Sequence, residues 1–148
     1  MLAIINATLV MRDHLIPEAV LFVENGLIAG FGEMRTTPIP EGCEIIDAQG
    51  LYVGPGFVDI HTHGAMGEDF SDGNYDGLVK MAEYYGKCGV TSFAPASMTL
   101  PYDVLSKAFG CAKRLVEENN EGLSVLRGIQ MEGPFFCYAK RGAQNPDY

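Results

Sequence analysis

The sequence has no long hydrophobic run. Among its 148 residues no apolar stretch approaches the roughly 20 residues that a helix needs to cross a bilayer. The residues after Met1, Leu2 to Asn6, are also without the basic stretch that begins a signal peptide. These absences exclude a transmembrane helix and predict a cytoplasmic protein.

Closely spaced cysteine pairs are absent as well. The four cysteines form no Cys-x-x-Cys motif and are far apart, at Cys43, Cys88, Cys111 and Cys137. This spacing excludes a zinc ribbon and a thiol redox motif. We expect all four to be buried, unpaired thiols.

Basic residues are few. Ten Lys and Arg stand against 19 Asp and Glu, which gives a formal net charge of -9 and an isoelectric point near 4.6. Such a charge argues against a nucleic acid or an anionic membrane surface as a partner. Hydrophobic residues (47%) and charged residues (20%) are close to the averages of soluble globular proteins, so the composition predicts a folded protein.

The first third of the chain has the pattern of a small β unit. The dipeptide Asn25-Gly26 lies between two apolar runs and predicts a type I′ hairpin over Glu18 to Phe31. A further strand pair is predicted around Ala48-Gln49-Gly50. We place this first unit at residues 1–53. Its predicted strands include Leu2 to Val10, Ala19 to Val23, Glu44 to Asp47 and Leu51 to Val53.

From residue 54 to residue 148 the pattern changes to alternating strands and helices. Leu78, Met81, Ala82 and Tyr85 recur at helical spacing, and Gly89 follows as a left-handed cap. A second helix is predicted with Thr99 as its N-cap, and its apolar face is Leu105, Ala108, Phe109, Ala112, Leu115 and Val116. The three predicted strands are Phe57 to His61, Val90 to Ala96 and Val125 to Met131. This order predicts a parallel α/β arrangement, whose chemistry lies at the carboxyl ends of the strands.

Two histidines stand two residues apart where the first of these strands ends. The period of two along a strand directs His61 and His63 to the same face. A His-x-His pair can hold a divalent metal, and the small Gly64 leaves room for a ligand. The alternative is a pair of imidazoles that only form hydrogen bonds at a surface.

An acid occupies the corresponding position at the end of the third strand. Glu132 follows an apolar strand, where burial of its carboxylate is costly without a partner. In a parallel barrel it converges with His61 and His63, as ligands of Zn²⁺ or Fe²⁺ do. A strand-end salt bridge is the simpler alternative for Glu132.

The remaining candidates rank lower. His14 is predicted to be a solvated turn residue, and Asp59 is predicted to support the structure or the ligands. The acids of the loop over Gly64 to Gly73 could approach a ligand, although a solvated glycine-rich loop is the simpler interpretation. These acids are Glu68, Asp69 and Asp72.

Several motifs resemble a known family. The run from Gly54 to Gly64, GPGFVDIHTHG, is similar to the entry of the metal-dependent amidohydrolase superfamily. Within that superfamily, the chain resembles the N-terminal part of the N-acetylglucosamine-6-phosphate deacetylase family. The motifs that carry this narrower resemblance are DFSDG (Asp69 to Gly73), GVTSF (Gly89 to Phe93), MEGPF (Met131 to Phe135) and KRGAQNP (Lys140 to Pro146).

The resemblance implies a fold, a reaction and a site. The fold would be a TIM (β/α)₈ barrel beside a small β-sandwich, in an enzyme that converts N-acetylglucosamine 6-phosphate to glucosamine 6-phosphate and acetate. Glu132 matches the family's metal-binding glutamate, and His61 and His63 match a superfamily pair that holds a second metal, so one or two ions are implied. Ala143 and Gln144 match a motif that contacts the sugar phosphate; the family also has histidine at the position of Gln144. The family further implies a homodimer.

The chain is short for such an enzyme. A (β/α)₈ barrel needs about 250 residues, so we expect this chain to be a truncated, N-terminal portion. The resemblance places two further metal-binding histidines, the acid/base and the phosphate-binding residues downstream, and assigns no catalytic acid to this chain. We therefore expect the 148-residue chain alone to be inactive.

Two other functions fit parts of the pattern. A dihydroorotase-like amidohydrolase acting on a cyclic amide shares the His-x-His entry, but the segment around Glu132 offers a glutamate where such enzymes commonly have a carboxylated lysine. A non-catalytic fragment that associates with another chain through its open sheet edges is the alternative from a different class.

Overall fold

A computed structural model describes residues 1–118 and 121–148. The chain divides into two compact units, Met1–Pro55 and Gly56–Tyr148. Over the described residues, no helix is long and apolar enough to span a membrane.

The first unit is a five-stranded mixed sheet. Its strands are β1 (Leu2–Val10), β2 (Leu15–Glu24), β3 (Leu27–Glu33), β4 (Glu44–Asp47) and β5 (Tyr52–Val53). Strand β1 pairs antiparallel with β2, which pairs with β3, and the opposite edge of β1 pairs in parallel with both β4 and β5. Residues 1–55, all of which are described, form this one sheet, and the second layer of the predicted sandwich is not among them.

The predicted type I′ turn is present between β2 and β3. Asn25 and Gly26 both have positive φ, 51° and 75°, as this turn requires. The predicted pairing of β4 with β5 is wrong, because each of them pairs with β1 instead. The N–H groups of Ala48 and Gly50 donate to the carbonyl oxygens of Ile5 and Asn6, at 2.8 and 2.7 Å, which keeps the connecting segment alongside β1.

The second unit has the predicted strand-helix-strand-helix-strand order. Its central strand is parallel to the first strand on one edge and to two short strands on the other. The first part contains β6 (Phe57–Thr62), β7 (Gly64–Ala65), β8 (Glu68–Asp69), a 3₁₀ turn (Phe70–Asp72) and α1 (Tyr75–Lys87). The second part contains the central strand β9 (Val90–Ser97), α2 (Tyr102–Glu118), β10 (Val125–Leu126), β11 (Gln130–Met131) and a 3₁₀ turn (Tyr138–Lys140).

The third predicted strand is divided into β10 and β11. On β9, the partners of β10 are Ser92 and Phe93, and those of β11 are Ala96 and Ser97. Pro95 lies between these two pairs and has no N–H to donate to a neighbouring strand. The missing donor accounts for the interruption of the ladder at this point.

Both helices pack on the sheet through the faces predicted for them, with one exception. Met81 and Ala82 of α1 are fully buried, and so is Ala108 of α2. Val116, however, is 53% exposed, because it lies about 100° around the helix from the buried Leu115. The core cluster is Phe70, Leu78, Met81, Ala82, Tyr85, Phe93, Ala108, Ala112, Leu115 and Leu126.

The helix ends agree with the predictions in one case and differ in the other. Gly89 follows α1 with φ 81°, which confirms the left-handed cap. Thr99 was predicted to cap α2, but that helix begins at Tyr102. The Thr99 hydroxyl lies instead 3.4 Å from the carbonyl oxygen of Glu132, to which it donates.

The four cysteines are unpaired, as predicted, but they are not all buried. Cys43 and Cys111 are half-buried, and Cys88 and Cys137 are exposed. Cys88 directly follows α1, and Cys137 directly precedes a 3₁₀ turn. The prediction of four buried thiols is therefore wrong.

Candidate metal centre

The two site histidines lie at the carboxyl end of β6. His61 is within the strand and His63 follows directly after its last residue, Thr62. The imidazole centroids are 5.2 Å apart. The carboxylate of Asp59 accepts the backbone N–H of His61 at 3.0 Å, so Asp59 supports the strand end.

The segment after His63 is an ordered hairpin rather than the predicted loop. Strands β7 and β8 pair antiparallel across Met66 and Gly67, whose φ angles are 59° and 79°. The backbone N–H of Phe70 donates to the carbonyl oxygen of His63 at 2.8 Å. These contacts fix the main chain at His63.

Glu132 lies beside the two histidines, although the strand before it pairs with the opposite edge of β9. It follows β11, and its Oε2 lies 3.3 Å from Nε2 of His61 and 3.1 Å from Nε2 of His63. The structure thus brings together the three side chains that were predicted from the sequence as candidate metal ligands.

The geometry of this cluster fits a divalent metal. The three ligand atoms all lie within 4.8 Å of one another. Two atoms that each lie about 2.1 Å from a tetrahedral ion are separated by about 3.4 Å, close to the observed separations. Two imidazole nitrogens and one carboxylate oxygen are donors that zinc and iron accept.

The cluster is partly open to solvent, and one imidazole nitrogen in it is buried. The side chains of His61, His63 and Glu132 are 49%, 35% and 31% exposed, so a small molecule can reach their ligand atoms. Nδ1 of His63 is buried and has no hydrogen-bond partner among the described residues.

A tyrosine of α1 forms a hydrogen bond with the last residue of β6. The Oη of Tyr85 and the Oγ1 of Thr62 are 2.8 Å apart and share a hydrogen bond. Burial raises the pKa of Tyr85, so its phenol stays protonated at neutral pH. The sequence pattern identified Tyr85 only as part of the apolar helix face, and no local signal indicates its contact with Thr62.

The lower-ranked acids hold the hairpin and its turn in place. Glu68 accepts from Lys80 of α1 at 3.0 Å, and Asp69 accepts the N–H of Ser71 at 2.7 Å. Asp72 in turn accepts the N–H of Asp69 at 3.3 Å. Their carboxylates therefore have structural partners, and His14 is an exposed residue next to Asp13.

The two residues predicted to contact a sugar phosphate differ in exposure. Ala143 is exposed, whereas Gln144 is buried. Gln144 lines a cavity of about 160 Å³, to which Thr99, Tyr138 and Arg141 also contribute. The Arg141 guanidinium stacks 3.8 Å from the centroid of the Tyr138 ring, which places a positive charge at this cavity.

The contacts of Thr99 are not indicated by the sequence. This buried residue joins Gln144 and the main chain of Glu132, which are far from it in the sequence. A threonine shortly before a helix has the pattern of an N-cap, so no local signal indicated this arrangement.

Comparison with known proteins identifies relatives for nearly all of the chain. An N-acetylglucosamine-6-phosphate deacetylase of Danio rerio is 34% identical over 135 residues, which cover 89% of this chain and 30% of that protein. An N-acetylgalactosamine-6-phosphate deacetylase of Escherichia coli O157:H7 is 32% identical over 127 residues, 86% of this chain and 32% of the relative. The chain thus spans about a third of the length of these relatives. No protein-family model matches it.

The fold has counterparts among solved structures. The crystal structure of an N-acetylglucosamine-6-phosphate deacetylase from Pasteurella multocida superposes with a TM-score of 0.85 at 25% identity. The superposition covers 99% of this chain and 38% of that one. Both units of the chain therefore have the fold of a part of such a deacetylase.

Proposed function

The chain belongs to the N-acetylglucosamine-6-phosphate deacetylase family, and on this premise we propose that the protein it represents hydrolyses the acetamide of N-acetylglucosamine 6-phosphate. The products are glucosamine 6-phosphate and acetate. The observation that carries the proposal is the convergence of His61, His63 and Glu132 at the ends of parallel strands. Metal-dependent amide hydrolysis requires such a cluster of ligands.

The proposed cofactor is one or two divalent ions, zinc or iron. Glu132, His61 and His63 would hold the metal, which would act as a Lewis acid toward the acetyl carbonyl and lower the pKa of a water. The carboxylate of Glu132 would provide negative charge against the ion, and the imidazoles of His61 and His63 would provide neutral nitrogen ligands. The partial exposure of all three side chains lets the acetamide approach the cluster.

Substrate recognition is proposed for the cavity beside this cluster. Ala143 and Gln144 are the proposed contacts to the sugar phosphate. The positive charge of Arg141 at the same cavity favours an anionic ligand. The galactosamine derivative is the second candidate substrate, since the Escherichia coli relative is named for it.

The general acid for the leaving amine is proposed to lie outside these 148 residues. In the described part of the chain, the converging cluster contains one carboxylate, Glu132. A carboxylate that holds a metal cannot also deliver a proton to the amine. We therefore propose that the chain alone is inactive.

The same premise extends to the whole protein. We propose that β6, β9 and the β10/β11 strand are part of a (β/α)₈ barrel, with residues 1–53 contributing to a small β-sandwich and residues 54–148 to the barrel. The whole protein is proposed to be a cytoplasmic homodimer that acts on a small molecule, without a nucleic acid or membrane partner. The net charge of -9 over these 148 residues supports the absence of a nucleic acid or membrane partner.

The test is metal analysis of the purified chain beside Glu132→Ala, with deacetylation of N-acetylglucosamine 6-phosphate followed in the same samples. We expect stoichiometric zinc or iron in the unchanged chain, its loss in the variant, and no turnover in either. Glu83→Gln is the matched control, because Glu83 is an exposed carboxylate that pairs with Lys87 on α1.

Each other result has a defined meaning. Metal retained by Glu132→Ala would remove the proposed role of Glu132, and turnover by the chain would show that it contains a proton donor. Hydrolysis of a cyclic amide instead of the amino sugar would favour the dihydroorotase-like alternative. A molecular mass that increases with protein concentration, without bound metal, would favour the alternative of a non-catalytic fragment that associates with another chain.

A further inference from the structure

A buried polar contact lies directly behind Glu132. Thr99 and Gln144 are 3% and 6% exposed. The backbone N–H of Thr99 donates to Oε1 of Gln144 at 2.8 Å. Because an unpaired N–H would be costly at this depth, the contact holds the residues after β9 against the segment that carries Gln144.

The side chain of Thr99 determines how closely the Glu132 segment can approach. Gly133 has φ 90°, and a Cβ built on it would lie 1.9 Å from Oγ1 of Thr99. The Thr99 hydroxyl thus occupies the space that any other residue at 133 would fill. The same hydroxyl lies 3.4 Å from the carbonyl oxygen of Glu132, so Thr99 contacts the main chain on both sides of the 132–133 peptide.

The carboxylate of Glu132 depends on this placement. Its Oε2 lies at nearly equal distances from the two imidazoles, 3.3 and 3.1 Å. A displacement of the Glu132 main chain relative to β9 changes both distances together. Residues that support a metal ligand affect metal affinity although they do not touch the metal.

We propose that Thr99 and Gln144 are positioning residues that set the main chain of Glu132, and through it the geometry of the metal cluster. The inference rests on the proposed metal-binding function of Glu132. The amide oxygen of Gln144 then has a structural partner, the N–H of Thr99, and its amide nitrogen lies 4.0 Å from Sδ of Met98. Gln144 then acts both at the sugar-phosphate cavity and behind Glu132.

The test compares Thr99→Val with Thr99→Ser by titration of the purified chain with Co²⁺. Valine retains the shape and the backbone N–H but removes the hydroxyl, whereas serine retains the hydroxyl. We expect Thr99→Val to bind Co²⁺ about tenfold more weakly, with altered visible absorption bands, and Thr99→Ser to stay within about twofold of the unchanged chain. Ser124→Ala is the matched control, since it removes a buried hydroxyl from another part of the unit.

If Thr99→Val does not fold, the Co²⁺ affinity of Gln144→Met tests the same inference. It removes the acceptor of the Thr99 N–H while retaining the length of the side chain, and we expect a similar loss of Co²⁺ affinity. Circular dichroism and thermal unfolding are recorded for each variant, so that a loss of affinity is compared only among folded proteins.

The results separate this inference from the proposed function. Thr99→Val and Gln144→Met that bind Co²⁺ as tightly as the unchanged chain, with the same absorption bands, would overturn the positioning role and leave the metal site standing. An unchanged chain that binds no Co²⁺ would overturn both. Reduced Co²⁺ affinity in the two variants supports the positioning role even if the full-length enzyme carrying them deacetylates neither amino-sugar phosphate.

Discussion

The α-carbon of Gly64 faces the carbonyl oxygen of Glu68 across the β7/β8 hairpin, and a Cβ at position 64 would lie 2.1 Å from that oxygen. Backbone rather than a flexible side chain fills the space, so it cannot be cleared by a change of rotamer. The hairpin begins directly after His63, and its close pairing therefore fixes the chain at one end of the cluster of His61, His63 and Glu132.

Gly64→Ala is expected to destabilise the protein by about 1 to 3 kcal/mol, because the hairpin must open to admit the methyl group. Gly110→Ala is the matched control. Gly110 is exposed within α2, and a Cβ built on it would have no atom within 4 Å apart from the backbone of its own helix. Alanine there is expected to raise the free energy of unfolding by about 0.5 to 1 kcal/mol. Denaturant unfolding measures both changes, and equal effects of the two substitutions would contradict this account of the hairpin.

Met81→Ala is expected to lower the free energy of unfolding by about 2 to 5 kcal/mol. Met81 is fully buried between the sheet and the helices, so its truncation leaves a cavity. Val116→Ala, on the exposed side of α2, is expected to change stability by less than about 0.5 kcal/mol. Chemical denaturation of both variants tests this, and a large loss for Val116→Ala would show that this face of α2 is covered in solution.

Asp47 is expected to make stability depend on pH in the acid range. Hydrogen bonds from the Asn6 side chain and the Gln49 backbone lower the pKa of Asp47 in the folded protein. Its contribution is therefore fully present above the unfolded-state pKa, about 3.9, and is lost as the pH falls through the lower folded-state pKa.

Asp47→Asn tests this dependence, because asparagine retains an acceptor oxygen and removes the titration. Unfolding free energies measured from pH 5 downward are expected to fall less steeply in the variant than in the unchanged chain. Parallel curves would assign the acid sensitivity to other groups.

The convergence of the site residues followed from regular features of the sequence. His61 and His63 share a face because a strand has a period of two, and Glu132 joins them because parallel strands present their carboxyl ends at one edge. The hairpin turn at Asn25-Gly26 was equally predictable, since the two residues together specify positive φ.

Two of the predictions failed because of contacts between distant parts of the chain. Thr99 has the local pattern of a helix cap, but its hydroxyl finds a partner, the Glu132 carbonyl, that no local pattern reveals. Strands β4 and β5 are close in sequence, yet each pairs with β1. In both cases tertiary hydrogen bonds replaced the nearest local partner.

The positions of the three candidate ligands along the chain have a thermodynamic consequence. His61 and His63 lie near the start of the second unit, and Glu132 lies beyond both helices, so an ion bound by all three would close the chain around β9, α1 and α2. Such a closure acts as a reversible crosslink, and the entropy it removes from the unfolded chain increases with the length of the loop. The free energy of metal binding would then also stabilise the strand-helix-strand arrangement that creates the site.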